Sequence, residues 1–118
     1  MLRCIIIDDE PLALNLLENY VKSTPFLELV AKCNSAILAI EILEKETVDL
    51  IFTDIQMPNL SGMEFSKIIL NKNVKIIFTT AFEEFALESY KVNAFDYLVK
   101  PISYSEFFSA ANKAKDQI

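Results

Sequence analysis

A chain of 118 residues, 53% of them hydrophobic and only one of them glycine, suits a single folded domain with a real core and argues against a disordered segment. Its net charge of -6, from 17 acids against 11 bases, is a poor match for direct electrostatic binding of nucleic acid. With no histidine, a Ser/His/Asp triad and a histidine metal site are excluded, and only two cysteines, Cys4 and Cys33, argue against a structural zinc.

Leu2 to Ile7 reads as a short buried strand that delivers Asp8 and Asp9 at its end. Pro11 fits the first turn of a helix, where a missing N–H costs nothing. Ala13, Leu16, Leu17 and Tyr20 then follow the spacing of one helical face, and Pro25 closes the element. Leu27 to Cys33 alternates as a second strand, and Ala36, Ala39, Ile40 and Leu43 mark the next helix. Val48 to Thr53 is the third strand, with Asp54 at its end.

Ser61 and Glu64 have the capping-box spacing and predict a helix starting near Gly62, with Phe65, Ile68 and Ile69 on its apolar side. Gly62 is expected to supply a backbone conformation that other residues resist. Val74 to Thr79 is the fourth strand. A fourth helix is predicted from about Glu83 to Val92, with Phe85, Ala86 and Tyr90 as contacts. Phe95 to Val99 is the fifth strand and leads into Lys100 and Pro101. Ser103 and Glu106 repeat the capping-box spacing ahead of Phe107, Ala110, Ala111 and Ala114. The polar close, Asn112 to Gln117, reads as a helix end leading toward a linker.

Strands and helices alternate throughout, which implies an α/β fold with a five-stranded parallel sheet and five helices covering both faces. Ligands of such sheets bind beyond the carboxyl ends of the strands. Asp8, Asp9, Asp54 and Lys100 all arrive at that edge. Three carboxylates and one ammonium gathered there make a site for a divalent cation and a phosphoryl group. Taken singly, each has an ordinary reading: Asp54 as a turn or cap residue, the Asp8-Asp9 pair as an N-cap, Thr80 as a strand residue, Lys100 as a solvated surface charge. Adjacent carboxylates repel, so Asp8 and Asp9 make most sense beside a cation.

Ile7-Asp8-Asp9-Glu10-Pro11, Thr53-Asp54-Ile55-Gln56-Met57-Pro58, Thr79-Thr80-Ala81 and Val99-Lys100-Pro101 resemble, in order and across essentially the whole chain, the motifs of response-regulator receiver domains. The stretch from Thr80 to Ile102 is most similar to receivers of the LytTR class. The resemblance implies a single flavodoxin-like receiver domain over 1–118, doubly wound, with strand order 2-1-3-4-5. It implies Asp54 as phosphoacceptor, with Thr80 and Lys100 contacting the phosphoryl group and the Lys100–Pro101 bond cis. It implies Mg²⁺ held by Asp8, Asp9, Asp54 and the backbone carbonyl of Gln56, with Asp9 the more direct ligand and Asp8 acting through water. Thr80 and Tyr97 would be the switch residues, and Phe82 would shield the acyl phosphate from water.

The implied function is a phosphorylation switch fed by a sensor histidine kinase and not a turnover enzyme. The switched surface would comprise the predicted 83–92 helix, strand five and the last helix. Homodimerisation there is expected from the aromatic-rich end of the chain (Phe95, Tyr97, Tyr104, Phe107, Phe108). LytTR-class receivers precede a DNA-binding output domain, so DNA contact and transcription control would lie beyond the C-terminus. The alternatives are a stand-alone receiver and an unphosphorylated pseudo-receiver acting as an interaction module. A phosphohydrolase of the haloacid dehalogenase type would need a general acid where Gln56 stands, and a nucleotide or flavin binder would need a glycine-rich loop. No apolar run is long enough to span a bilayer. The opening residues, from Met1 to Ile5, lack the features of a signal peptide, so a soluble, cytoplasmic protein with reduced thiols and no membrane partner is expected.

Overall fold

Apolar strands need cover on both faces, and among the described residues helices follow each of the first three strands and the fifth. The computed structural model describes residues 1–69, 73–81 and 95–118. Its elements are β1 (Leu2–Ile7), α1 (Pro11–Lys22), β2 (Leu27–Cys33), α2 (Ala36–Leu43), β3 (Leu50–Asp54), α3 (Gly62–Ile68), β4 (Lys75–Thr80), β5 (Asp96–Val99) and a C-terminal helix, α4 (Tyr104–Gln117). The helix predicted over 83–92, its contacts Phe85, Ala86 and Tyr90, and Phe82 lie outside the described residues.

The five strands form one parallel sheet in the order β2-β1-β3-β4-β5, the flavodoxin-like arrangement. One face packs Cys4, Ile6, Leu50, Phe52, Ile77 and Leu98 against Leu17 and Val21 of α1 and Phe107, Ala110, Ala111 and Ala114 of α4. The other packs Ile5, Ile7, Ile51, Ile76 and Phe78 against α2 and α3. This split follows from the two-residue period of a strand, which sends successive side chains to opposite faces. Cys4 and Cys33 are both buried and unbridged, and burial pushes their thiols up to about 12 and about 11.

Three strands have bounds that differ from those expected. β3 runs Leu50–Asp54, not Val48–Thr53. Just ahead of it, the Asp49 N–H donates to the Arg3 carbonyl at 2.8 Å while the Asp49 carboxylate accepts the Arg3 N–H at 2.9 Å, in place of a backbone carbonyl. Asp54 joins the ladder by pairing with Thr79. β4 and β5 likewise start one residue later than expected.

The helix starts follow local chemistry. Ser61 and Ser103 each accept from the backbone N–H of the glutamate three residues on, and both capping boxes are complete. The first helix has Glu10 as its N-cap, with no side-chain cap, so the ordinary reading of the Asp8-Asp9 pair as an N-cap does not hold. Asp8 instead accepts the Glu10 N–H through Oδ1 at 2.9 Å.

Much of the aromatic-rich C-terminal region turns inward. Phe107 is fully buried, stacked on Phe52 with ring centres 4.6 Å apart. The Tyr104 hydroxyl donates to the Ser23 carbonyl at 3.0 Å, and Tyr20 donates to the Ile102 carbonyl at 2.8 Å. Of the five aromatics from which self-association was expected, Tyr97 and Phe108 are the exposed ones. No described helix is long and apolar enough to cross a membrane.

The Phe52–Phe107 stack joins the central strand to the C-terminal helix. Phe52→Ala and Phe107→Ala are each expected to lose about 3–5 kcal/mol of unfolding free energy in urea titrations. The double variant should lose about 0.5–1.5 kcal/mol less than the sum, because one aromatic pair is removed in both singles. Full additivity would show that the rings contribute independently.

Candidate functional site

Strand register determines which side chains meet. Ile7 is level with Thr53, so Asp8 and Asp54 leave neighbouring strands at the same height. Thr80 is level with Val99, and the Lys100 N–H donates to the Thr80 carbonyl at 2.7 Å, extending that ladder by one step. Ile6, Phe52 and Leu98 share one face of the sheet. Asp8, Asp54 and Lys100, each two residues further on, therefore start from that same face. The Lys100–Pro101 bond is cis, as the resemblance implied.

Lys100 Nζ lies 2.9 Å from Asp8 Oδ2 and 3.0 Å from Asp54 Oδ2, bridging two carboxylates. Asp8 is fully buried, yet both of its oxygens are engaged, one by Lys100 and one by the Glu10 N–H. Asp54 is 8% exposed; Oδ2 faces Lys100 and Oδ1 accepts the Gln56 N–H at 3.1 Å. Asp9 is exposed and completes a trio with Asp8 and Asp54 whose nearest oxygens lie within 4.8 Å of one another. These are hard oxygen donors, the set that suits Mg²⁺ or Ca²⁺. One ammonium among three carboxylates leaves excess negative charge at the sheet edge.

The pKa directions agree with that imbalance. Burial raises the Asp54 carboxyl above its ordinary value, and the Lys100 ammonium and the Gln56 N–H offset this only in part. Burial works against the Lys100 charge, but its hydrogen bonds to Asp8 and Asp54 outweigh it and hold the ammonium above its ordinary value.

Thr80 is buried at the end of β4, and Tyr97 is 37% exposed on β5. Both leave the face opposite Ile77 and Leu98. Gln56 is exposed and enters the site through its backbone N–H.

Two features were not legible beforehand. Gly62 does not adopt a positive φ; the left-handed residue of this loop is Asn59, at φ 69°. What Gly62 supplies is close approach: a Cβ there would collide with the Asp54 carbonyl oxygen. Its N–H donates to the Ile55 carbonyl at 2.8 Å, so the start of α3 rests on the backbone of the Asp54 loop. The single glycine in the chain was the available signal. The second feature is Thr79, buried beside Asp54 with a hydroxyl that has no partner among the described residues.

The model of the response regulator receiver domain matches residues 4–112, and the chain belongs to that family. The transcriptional regulatory protein BtsR of Escherichia coli K12 is 39% identical over 103 residues, which cover 86% of this chain and 43% of BtsR. This chain thus spans less than half the length of that relative. The response regulatory domain of MrkE from Klebsiella pneumoniae superposes with a TM-score of 0.90 at 30% identity, covering 98% of this chain and 97% of that one. TrrA of Thermotoga maritima, crystallised in complex with Mg²⁺-BeF, superposes at 0.85 with 28% identity, over 97% and 99% of the two chains. The protein is accordingly a phosphoacceptor receiver domain of a response regulator, a signalling module and not a conventional enzyme.

The site generates two predictions. Folding raises the Asp54 pKa above 3.8, so the folded state holds the proton more tightly and stability falls as pH rises through the raised value. In chelator-treated protein at pH 7, Asp54→Asn is expected to raise Tm by a few degrees, on the order of 1 kcal/mol; a lower Tm would contradict the reading. Gly62→Ala should lower Tm, by roughly 1–3 kcal/mol of overpacking against the Asp54 loop. An unchanged melting curve would show that α3 can move away freely.

Proposed function

We propose that Asp54 is the phosphoacceptor, that Asp8, Asp9, Asp54 and the Gln56 carbonyl hold Mg²⁺, and that Thr80, Lys100 and Tyr97 read out the phosphoryl group. The observation that carries this reading is the convergence of Asp8, Asp9 and Asp54 oxygens within 4.8 Å, with Lys100 bridging Asp8 and Asp54. The exposure of Asp9 and the complete burial of Asp8 support Asp9 as the more direct ligand, with Asp8 reaching the ion through water.

One Asp54 oxygen attacks phosphorus in line, forming an O–P bond as the P–N bond of a kinase phosphohistidine breaks. Asp54 does this ionised, and Lys100 favours that state against the effect of burial. The Gln56 N–H fixes one carboxylate oxygen, which limits the rotation of the nucleophile. Lys100 then follows charge from the carboxylate to the phosphoryl oxygens, and Thr80 donates its hydroxyl. Mg²⁺, when bound, offsets the negative charge that gathers on the transferring group.

Rearrangement of Thr80 and Tyr97 on one face of the sheet would change the surface made by the 83–92 segment, β5 and α4, and with it pairing to a second receiver. The donor would be a sensor histidine kinase, and the setting the cytoplasm. The output would be a LytTR-type DNA-binding domain beyond residue 118. That assignment is supported by the resemblance from Thr80 to Ile102 and by BtsR, a transcriptional regulator more than twice as long as the matched segment. The net charge of -6 agrees with DNA contact lying outside this domain.

The test is thermal melting with Mg²⁺ and beryllofluoride, a phosphoryl analogue. At about 100 times the dissociation constant, ligand binding adds roughly 2.7 kcal/mol, a Tm gain on the order of 10 °C for a domain of this size. Asp54→Asn should abolish the gain that beryllofluoride adds, and Asp9→Asn should weaken the gain from Mg²⁺ alone. Equal gains in wild type and Asp54→Asn would remove Asp54 from the acceptor role.

A further inference from the structure

β4 ends in two threonines whose side chains leave opposite faces of the sheet. Thr79 follows Ile77 onto the face shared with Phe52 and Leu98, the face from which Asp8, Asp54 and Lys100 also start. It stands directly opposite Asp54 on one side and Leu98 on the other. Lys100 begins beyond β5 and ends on Asp54 and Asp8, at the tips of β3 and β1. Its side chain therefore has to pass β4, and Thr79 starts from the face from which Lys100, Asp54 and Asp8 also start.

Thr79 is fully buried, and its Oγ1 makes no hydrogen bond among the described residues. A buried hydroxyl without a partner destabilises a fold, whereas valine would fill the same space at no such cost. The neighbouring Thr53 hydroxyl, by contrast, donates to the Asp54 carbonyl at 3.1 Å. An unpartnered hydroxyl between the acceptor and the stem of the lysine has a place in a second state of the site.

We propose that Thr79 is a positioning residue for the phosphorylated state, its hydroxyl accepting a hydrogen bond from Lys100 Nζ once a phosphoryl group on Asp54 draws that ammonium away from the carboxylate. This rests on Asp54 being the acceptor. An ammonium has three N–H donors. In the unphosphorylated protein two of them reach Asp8 Oδ2 and Asp54 Oδ2. Phosphorylation turns the Asp54 carboxylate into a weaker, ester-like acceptor. Lys100 keeps Asp8, turns one N–H to a phosphoryl oxygen and places the third on Thr79. Thr79 thereby fixes the ammonium over the acyl phosphate, and its satisfied hydroxyl stabilises that state relative to the unphosphorylated one.

The experiment compares wild type, Thr79→Val and Thr79→Ser, each melted with and without Mg²⁺-beryllofluoride, and then measures acyl-phosphate decay by intact mass. Thr79→Val should melt at or above the wild-type temperature without the analogue, yet gain less from it. Its acyl phosphate should decay with a rate changed by about fivefold, the kinetic equivalent of one hydrogen bond. Thr79→Ser, which keeps the hydroxyl, should restore the analogue gain and the decay rate even if its bare Tm falls. Equal gains and equal decay in wild type and Thr79→Val would overturn the proposal while leaving Asp54 as acceptor. No gain in wild type would overturn both.

Discussion

The Lys100 ammonium, 2.9 Å from Asp8 and 3.0 Å from Asp54, ties the tip of β5 to the tips of β1 and β3. A fully buried Asp8 would be costly if left unpaired, so this one cation makes the buried end of β1 tolerable. Among the described residues it is also the only ammonium or guanidinium paired with any of the three carboxylates, and it reaches Asp8 and Asp54. The site is therefore held together and left short of positive charge by the same residue. A phosphorylation switch requires this combination: enough order to hold the acceptor, and enough residual charge to draw in a cation.

The rest of the fold keeps that residue in register. Lys100 can reach across β4 only because the parallel strands end level, with Asp54 paired to Thr79 and Thr80 paired to Val99. The level ends depend on a two-sided core in which Phe52, Ile77 and Leu98 pack under α1 and α4 while Ile51, Ile76 and Phe78 pack under α2 and α3. On one side of Lys100, the chain after the cis bond is held by the Tyr20 hydroxyl on the Ile102 carbonyl. On the Asp54 side, α3 abuts the acceptor loop through Gly62, with no room for a side chain between them.

Strand positions, helix starts and the four charged site residues were legible in the sequence because each rests on local chemistry: apolar runs, serine–glutamate spacings, and charges placed at strand ends. Strand order came from resemblance, since a run of apolar residues does not say which neighbour it will pair with. β3 starts later than the apolar run suggests: ahead of Leu50 the Arg3 N–H turns to the Asp49 carboxylate, a tertiary contact with no local signal, although the Asp49 N–H still donates to the Arg3 carbonyl. Gly62 was expected to serve a conformational need and serves a spatial one, which only the approach of α3 to Asp54 reveals. Of the aromatic residues near the C-terminus, Phe107 is core because Tyr20 and Phe52 from distant elements pack on it, whereas Tyr97 and Phe108 stay exposed. Thr79 carried no signal of its own in the sequence beyond ending the fourth strand, because what matters about it is its neighbours across the sheet, Asp54 and Leu98.

The central claim is that Asp54 takes a phosphoryl group in a pocket that Asp8, Asp9 and Lys100 assemble around it. Intact mass after incubation with a small phosphodonor and Mg²⁺ tests it most directly, run on wild type and Asp54→Asn side by side. The account predicts one phosphoryl adduct on wild type, lost when Mg²⁺ is chelated, and none on Asp54→Asn. An adduct of equal yield on both proteins would move the acceptor elsewhere and contradict the account.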